Sequence, residues 1–242
     1  MSTPRGLTHA SSLAFALLLL STAATAGPWM PLSPGTRWEY QGDAGGHQVE
    51  SITGTTTLHG RVVAIKYHAE GVDTGLENYW LLDADGSVLL AGYFSPAQGS
   101  GLVYEPPIRF VPVPPVLGPQ PFVLTAFHDF ATDAVIVTVP VRYDVTQDLM
   151  LSLPAGVYHA YGVGRYISLP EPNGATGAQF SLDGRLVMPR GKSIYYFDTS
   201  DWFSEGVGEV QYNVGELYQL RSFDLPTATV RSTWSAIKHL YR

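Results

Sequence analysis

AVIVTVPVRYDVT, residues 134–146, places Val135, Val137, Val139, Val141, Tyr143 and Val145 at alternating positions. Thr138, Pro140, Arg142, Asp144 and Thr146 fill the positions between them. Successive side chains on a strand point to opposite faces, so this pattern reads as a half-buried β-strand with its odd face on a core. Pro140 has no amide hydrogen to give to a ladder, which predicts a sheet edge or a bulge at that point. Val63, Ile65, Tyr67 and Ala69 alternate in the same way with Ala64, Lys66, His68 and Glu70. There the charged set, with His68 and Lys66 on one face, is expected to meet solvent.

Working outward, turn chemistry separates further strands. Asp85-Gly86 in LLDADGSVLL (81–90) and Asp183-Gly184 in FSLDGRLVM (180–188) supply the positive φ angles of tight hairpins. Roughly a dozen strand candidates follow one another at the short intervals of an antiparallel domain. No stretch sustains a 3.6-residue apolar period, and SAIKHLYR (235–242) has room for one helical turn. EPPIRFVPVPPVLGPQPF (105–122) holds seven prolines and reads as an extended connector between two halves of one sheet system. The expected fold class is all-β: a single-domain, strongly curved antiparallel sheet or incomplete barrel.

The N-terminus reads as an export signal. Arg5 gives it a positive start, Leu13–Leu20 an apolar run, and Ala24-Thr25-Ala26 a small-x-small cleavage site. The run falls well short of the roughly 20 residues that a membrane helix needs. Cleavage after Ala26 would divide the chain into a 1–26 signal and a 27–242 β-domain, secreted or periplasmic, with no later transmembrane segment. The formal charge of −7 becomes one unit more negative once Arg5 is removed, which disfavours nucleic acid as a partner. The absence of cysteine excludes thiol catalysis and thiolate metal sites. Residues 27–242 suffice to bury roughly 70% of their unfolded surface without disulfides.

Three segments taken in order carry a resemblance. PLSPGTRWEY (31–40) fits P-L-x-x-G-x-x-W-x-Y, LPAGVY (153–158) fits P-A-G-x-aromatic, and WFSEGVGEV (202–210) fits aromatic-x-x-G-V-G-x-V. Together they resemble a broad group of secreted or lipid-anchored bacterial β-proteins of unknown function. That resemblance implies a half-barrel outline like the periplasmic lipoprotein carriers, which hold acyl chains on a concave face. The chain departs from the group in three places. It lacks the anchoring Cys, Gly118-Pro119-Gln120-Pro121-Phe122 stands where a second G-x-x-W is expected, and Glu209 fills a slot usually less charged. The group supplies no catalytic residues.

Aromatic side chains are the candidate ligand-binding residues: Trp38, Tyr40, Tyr158, Tyr166, Tyr196 and Trp202. Trp38 and Tyr40 share one strand face opposite Arg37 and Glu39, an arrangement that also suits a core. In GVYHAYGVGRYIS (156–168), Gly162 and Gly164 lie between Tyr158 and Tyr166, either to bend the sheet or to admit a ligand. YYFDTSDWF (195–203) sets aromatics around Asp198 and Asp201. FHDFATD (127–133) pairs His128 with acids, but adjacent strand residues diverge and no second His stands at ligand spacing, so it reads as a surface turn. Asp83-Ala84-Asp85-Gly86 lacks the later ligands of a calcium loop. No phosphate loop, nucleophile elbow or zinc-protease helix occurs.

The reading is therefore an exported, non-enzymatic β-domain that binds a small apolar or amphipathic ligand on its concave face. No catalytic residue, metal or cofactor is assigned. The alternatives are a structural or protein-interaction component of the envelope, and a hydrolase using Asp198, Asp201 or His128. Irregular, proline-interrupted strands and Arg242 at the end argue against an outer-membrane barrel.

Overall fold

A computed structural model describes residues 28–167 and 195–226, with the backbone alone for 195–200. The chain forms β1 (Arg37–Gly42), β2 (His47–Leu58), β3 (Arg61–Glu70), β4 (Glu77–Leu82), β5 (Val88–Ser95) and β6 (Ser100–Val111). It continues through β7 (Gly118–Pro119), β8 (Val123–Asp129), β9 (Val135–Leu153) and β10 (Gly156–Ile167), and then β11 (Tyr195–Ser204), β12 (Gly208–Val214) and β13 (Glu216–Asp224). The signal, the Asp183-Gly184 hairpin and the C-terminal turn predicted from sequence lie outside the described residues. No helix among the described residues is long and apolar enough to cross a membrane.

All ladders between these strands are antiparallel, in the order β10-β11-β12-β13-β1-β2-β3-β4-β5-β6-β8-β9, with β7 added against β9. The expected incomplete barrel is corrected here. β9 also pairs with β10 from Val141↔Ile167 to Leu153↔Gly156, so the ring closes. Nineteen residues long, β9 meets β8 with its first part and β10 with its second, and so joins the two ends of the sheet. Pro140 sits opposite Leu124 of β8, one residue before the β10 ladder begins. It has a described ladder partner on one flank only, which is the local edge its missing amide calls for.

Most of the odd face of β9 points inward, with Val139, Val141 and Val145 buried, while Val135, the first of the expected core set, is exposed. Val139 and Val141 join a core that includes Trp38, Tyr40, Tyr104, Phe127, Phe203, Val210 and Leu220. Trp29 and Met30 are buried in this core, with Met30 against Gly208. The N-terminal segment thus packs over the end of the barrel that holds the β9–β10 and β11–β12 turns. The β3–β4 and β5–β6 loops lie at the opposite end.

Part of the connector expected at 105–122 is strand: Glu105–Val111 completes β6, and Gly118–Pro119 is β7. Asp85-Gly86 makes the predicted β4–β5 turn, with Gly86 at φ 85°. A second, smaller apolar cluster lies outside the barrel. Val63, Tyr79 and Ala91 are buried there, with Ile65 and Phe94 beside them. Phe130 of the β8–β9 loop stacks on Tyr79 and Phe94 at centroid distances of 5.4 and 4.8 Å.

Candidate functional site

That outer cluster inverts the reading of β3. Val63 and Ile65 face outward under Phe130, while Ala64, Lys66 and His68 face the barrel interior. Lys66 is 2% exposed and His68 5%, so the expectation that this face meets solvent is corrected. Both faces of β3 are covered, and a period of two cannot tell which covered face is the lumen.

From β2, Gln48 and Glu50 point into the same interior, both essentially unexposed. Glu50 is the hub of a buried polar network. Its Oε2 lies 2.5 Å from Lys66 Nζ. Its Oε1 accepts from Gln48 Nε2 at 2.9 Å and from the Tyr212 hydroxyl at 3.4 Å, and lies 3.3 Å from His68 Nδ1. Lys66 also donates across the barrel to Glu209 Oε2 of β12 at 3.0 Å. Its ammonium stands 5.5 Å from the ring centre of Trp38 and 5.9 Å from that of Trp80, where the ring faces add cation–π attraction.

On the facing wall Arg165 of β10 pairs with Asp201 of β11. Bulges place the arginine there. β10 buries Ala160 and Gly162 on even positions, then shifts register at Gly162/Val163 and again at Val163/Arg165. Val163 and Ile167 are buried after the shift, and Arg165 turns inward with its guanidinium 4.2 Å from the Phe110 ring centre. At Gly162 an added Cβ would stand 3.3 Å from the Trp202 ring, so the glycine supplies a close approach to the next strand as well as a bend.

Electrostatics divides the roles of these groups. Burial pushes the Glu50 carboxyl up, but the Lys66 charge, the pull of His68 in its protonated form, and the bonds from Lys66 and Gln48 outweigh it, so its pKa is lowered. Burial likewise opposes the Lys66 charge, and Glu50 and Glu209 overcome that opposition, raising its pKa. Burial dominates at Glu209, and the neighbouring Glu50 charge adds to it, so this carboxyl holds its proton to higher pH than an ordinary glutamate. His68 is pushed down to about 4, chiefly by burial and against the pull of Glu50, which leaves it neutral at neutral pH. Its ring nitrogens lie 2.8 Å from the amides of Gln48 and Asn78. One of those amides must present its oxygen, because a neutral imidazole has one donor and one acceptor.

A cavity of about 620 Å³ opens beside this network. Val72, Asp73, Thr74 and Leu76 of the β3–β4 loop, Ser95 at the end of β5, and Ala97 and Gln98 of the β5–β6 loop contribute to its lining. Glu50, Lys66, His68, Arg165, Asp201 and Glu209 form its ionic wall, with Leu90, Ile108, Val141 and Ile167 as apolar wall and Trp80, Tyr93, Tyr104, Phe110 and Tyr212 as aromatic wall. The Trp80 indole N–H is buried there without a hydrogen-bond partner.

Comparisons with known proteins show no family. No family model matches the chain, and no curated protein does. Among solved structures, a lipoprotein candidate from Parabacteroides distasonis is similar at 12% identity and a TM-score of 0.37, over 82% of this chain and 99% of that one.

Of the aromatic residues singled out from sequence, Trp38, Tyr40, Tyr158, Tyr166 and Trp202 do not line this cavity. Trp38 and Tyr40 are fully buried; the Trp38 indole donates to Val207 O at 2.7 Å and the Tyr40 hydroxyl to Glu209 O at 3.0 Å. Both act as staples between β1 and β12 and its preceding turn. Trp202 is buried beside Gly162, and the Tyr158 hydroxyl donates to Ala155 O. Tyr166 carries the Arg142 guanidinium over its ring at 4.7 Å. The side chains of Tyr196 and Asp198 lie outside the described residues. The residues that do form the wall, Glu50, Lys66, His68 and Arg165, read from sequence as ordinary strand polarity. Two of the wall residues stood out in the sequence: Glu209, as the charged departure from the resemblance, and Asp201, as a carboxylate of the hydrolase alternative.

Proposed function

We propose that this barrel is an exported binding protein that holds a small amphipathic molecule in its lumen, with the polar end against the Glu50–Lys66–Glu209 network. The observation that carries the reading is the cavity of about 620 Å³ that joins a buried ionic wall to aromatic and aliphatic walls. Ligand sites commonly enclose about 300–1,000 Å³, mostly apolar with a few placed polar groups. A structural role with a fully packed interior would leave no such space. Lys66 is balanced by Glu50, and Arg165 by Asp201, so the wall does not ask for an anion. The unpartnered Trp80 N–H and the protonatable Glu209 favour a polar end that forms hydrogen bonds or carries a proton. The export signal read at 1–26 supports binding outside the cytoplasm.

Native mass spectrometry of protein purified from the producing cell under non-denaturing conditions tests the proposal. The expected spectrum shows a one-to-one adduct of a few hundred daltons that leaves on mild activation. Bare protein in every preparation, with no uptake of a polarity-sensitive lipid dye, would overturn it.

A further inference from the structure

The outer face carries a second constellation, remote in sequence and assembled by the fold. His59 in the β2–β3 turn, His128 of β8 and Asp133 of the β8–β9 loop place one ligand atom each within 4.8 Å of one another. His59 Nε2 lies 2.7 Å from Asp133 Oδ1, and His128 Nδ1 lies 3.2 Å from the same oxygen. The two imidazoles meet edge to face with centroids 4.9 Å apart.

We propose that His59 Nε2, His128 Nδ1 and Asp133 Oδ1 form a zinc-class transition-metal site that clips the β2–β3 turn to the β8–β9 loop. Two imidazoles with one carboxylate suit Zn²⁺ rather than Ca²⁺ or Mg²⁺, which prefer all-oxygen shells. Zn–N bonds of about 2.0–2.1 Å make a tetrahedral ligand–ligand edge of about 3.3 Å. The short His59–Asp133 edge of 2.7 Å would open by about 0.6 Å, which the 70%-exposed Asp133 side chain can accommodate. A fourth position faces solvent.

Two independent features support the assignment. The outward nitrogen of His59, Nδ1, lies 3.5 Å from Glu105 Oε2, and Glu105 is itself held by both guanidinium nitrogens of Arg61 at 2.5 and 2.9 Å. A carboxylate behind a histidine fixes the tautomer that leaves the other nitrogen free to ligate. In addition, His59 (φ 47°) and Asp133 (φ 59°) are the non-glycine residues with positive φ among those described. Non-glycine residues in this sparsely populated region cluster at ligand sites, and His and Asp are among the types that enter it most readily. The loop is brought into place by Phe130 in its stack and by Asp129, whose Oδ1 accepts from the amides of Ala131 and Thr132. No spacing in FHDFATD could reveal this site, because the second histidine arrives from β2–β3.

Isothermal titration of the metal-stripped full chain with ZnCl₂ tests the proposal. One equivalent is expected with a Kd of about 10 μM or tighter, and His59→Ala, His128→Ala and Asp133→Asn should each weaken it at least about tenfold. Glu105→Gln should weaken it about tenfold through the outer shell. His159→Gln, in a His159–Asp148 pair at 2.6 Å on another face, should leave binding unchanged. Nitrogen-15 spectra should show zinc on His59 Nε2 and His128 Nδ1. The proposal fails if the parent takes up no Zn²⁺ at about 1 mM, if the ligand variants bind like the parent, or if His159→Gln weakens binding as much as they do.

Discussion

Acidification should weaken the fold through His68. In the folded chain burial holds its pKa near 4, against 6.5 when solvated. Between those values the unfolded chain takes up a proton that the folded chain refuses, so stability falls as pH falls from about 6.5 toward 4. The two values predict a loss of about 2 kcal/mol between pH 7 and pH 5, approaching about 3 kcal/mol below pH 4. Glu209 acts in the opposite sense. Its raised pKa means that the folded chain binds its proton first, which adds stability on acidification. That contribution is shared by a His68→Gln variant and cancels in the difference. Urea unfolding of both proteins at pH 7, 6 and 5 provides the assay, and the parent should lose about 2 kcal/mol more than the variant over this range. Equal slopes, or a parent stabilised by acid, would show that the attraction of Glu50 for a protonated His68 outweighs burial and would refute the reasoning.

Lys66→Ala leaves the Glu50 charge buried beside a neutral imidazole and should cost about 3–5 kcal/mol in chemical denaturation. A Lys66→Met/Glu50→Leu double variant, which removes both charges, should recover much of that loss. Gly92→Ala would bring a Cβ to 2.3 Å from the Leu102 carbonyl oxygen at the β5–β6 bulge, and should lower stability by about 1–3 kcal/mol in thermal melts. Gly54→Ala, with open space around its Cβ, should melt at or slightly above the parent temperature.

Local pattern and turn chemistry were legible in the sequence to different depths. The 134–146 alternation located the inward valines of β9, and Asp85-Gly86 located a hairpin, because each depends on neighbouring residues alone. The glycines of GVYHAYGVGRYIS marked bulges as expected, but the consequence, that Arg165 swings into the lumen, depends on register with β9 and β11. Closure by β9–β10 pairing was not legible, since an incomplete barrel and a complete one share the same strand pattern. The ionic wall was hidden for a related reason. Lys66 and His68 alternate with Val63 and Ile65 as any surface strand would, and only Phe130, arriving from a distant loop, turns the apolar face into the outside. His59 and His128 are likewise joined by that loop and by no local spacing. The aromatics that drew attention, Trp38, Tyr40 and Trp202, carry packing, while the cavity takes its aromatic wall from Trp80, Tyr104, Phe110 and Tyr212.

Occupancy of the lumen is the central claim, and a ligand-sized dye tests it most directly. The parent, a Ser95→Trp variant that adds bulk to the cavity lining, and a Leu117→Trp variant on the exposed outer surface are titrated with the same polarity-sensitive amphipathic dye. One saturable site is predicted in the parent and in Leu117→Trp, with at least about tenfold weaker binding in Ser95→Trp. Equal binding by all three proteins, or none by the parent, would contradict the account.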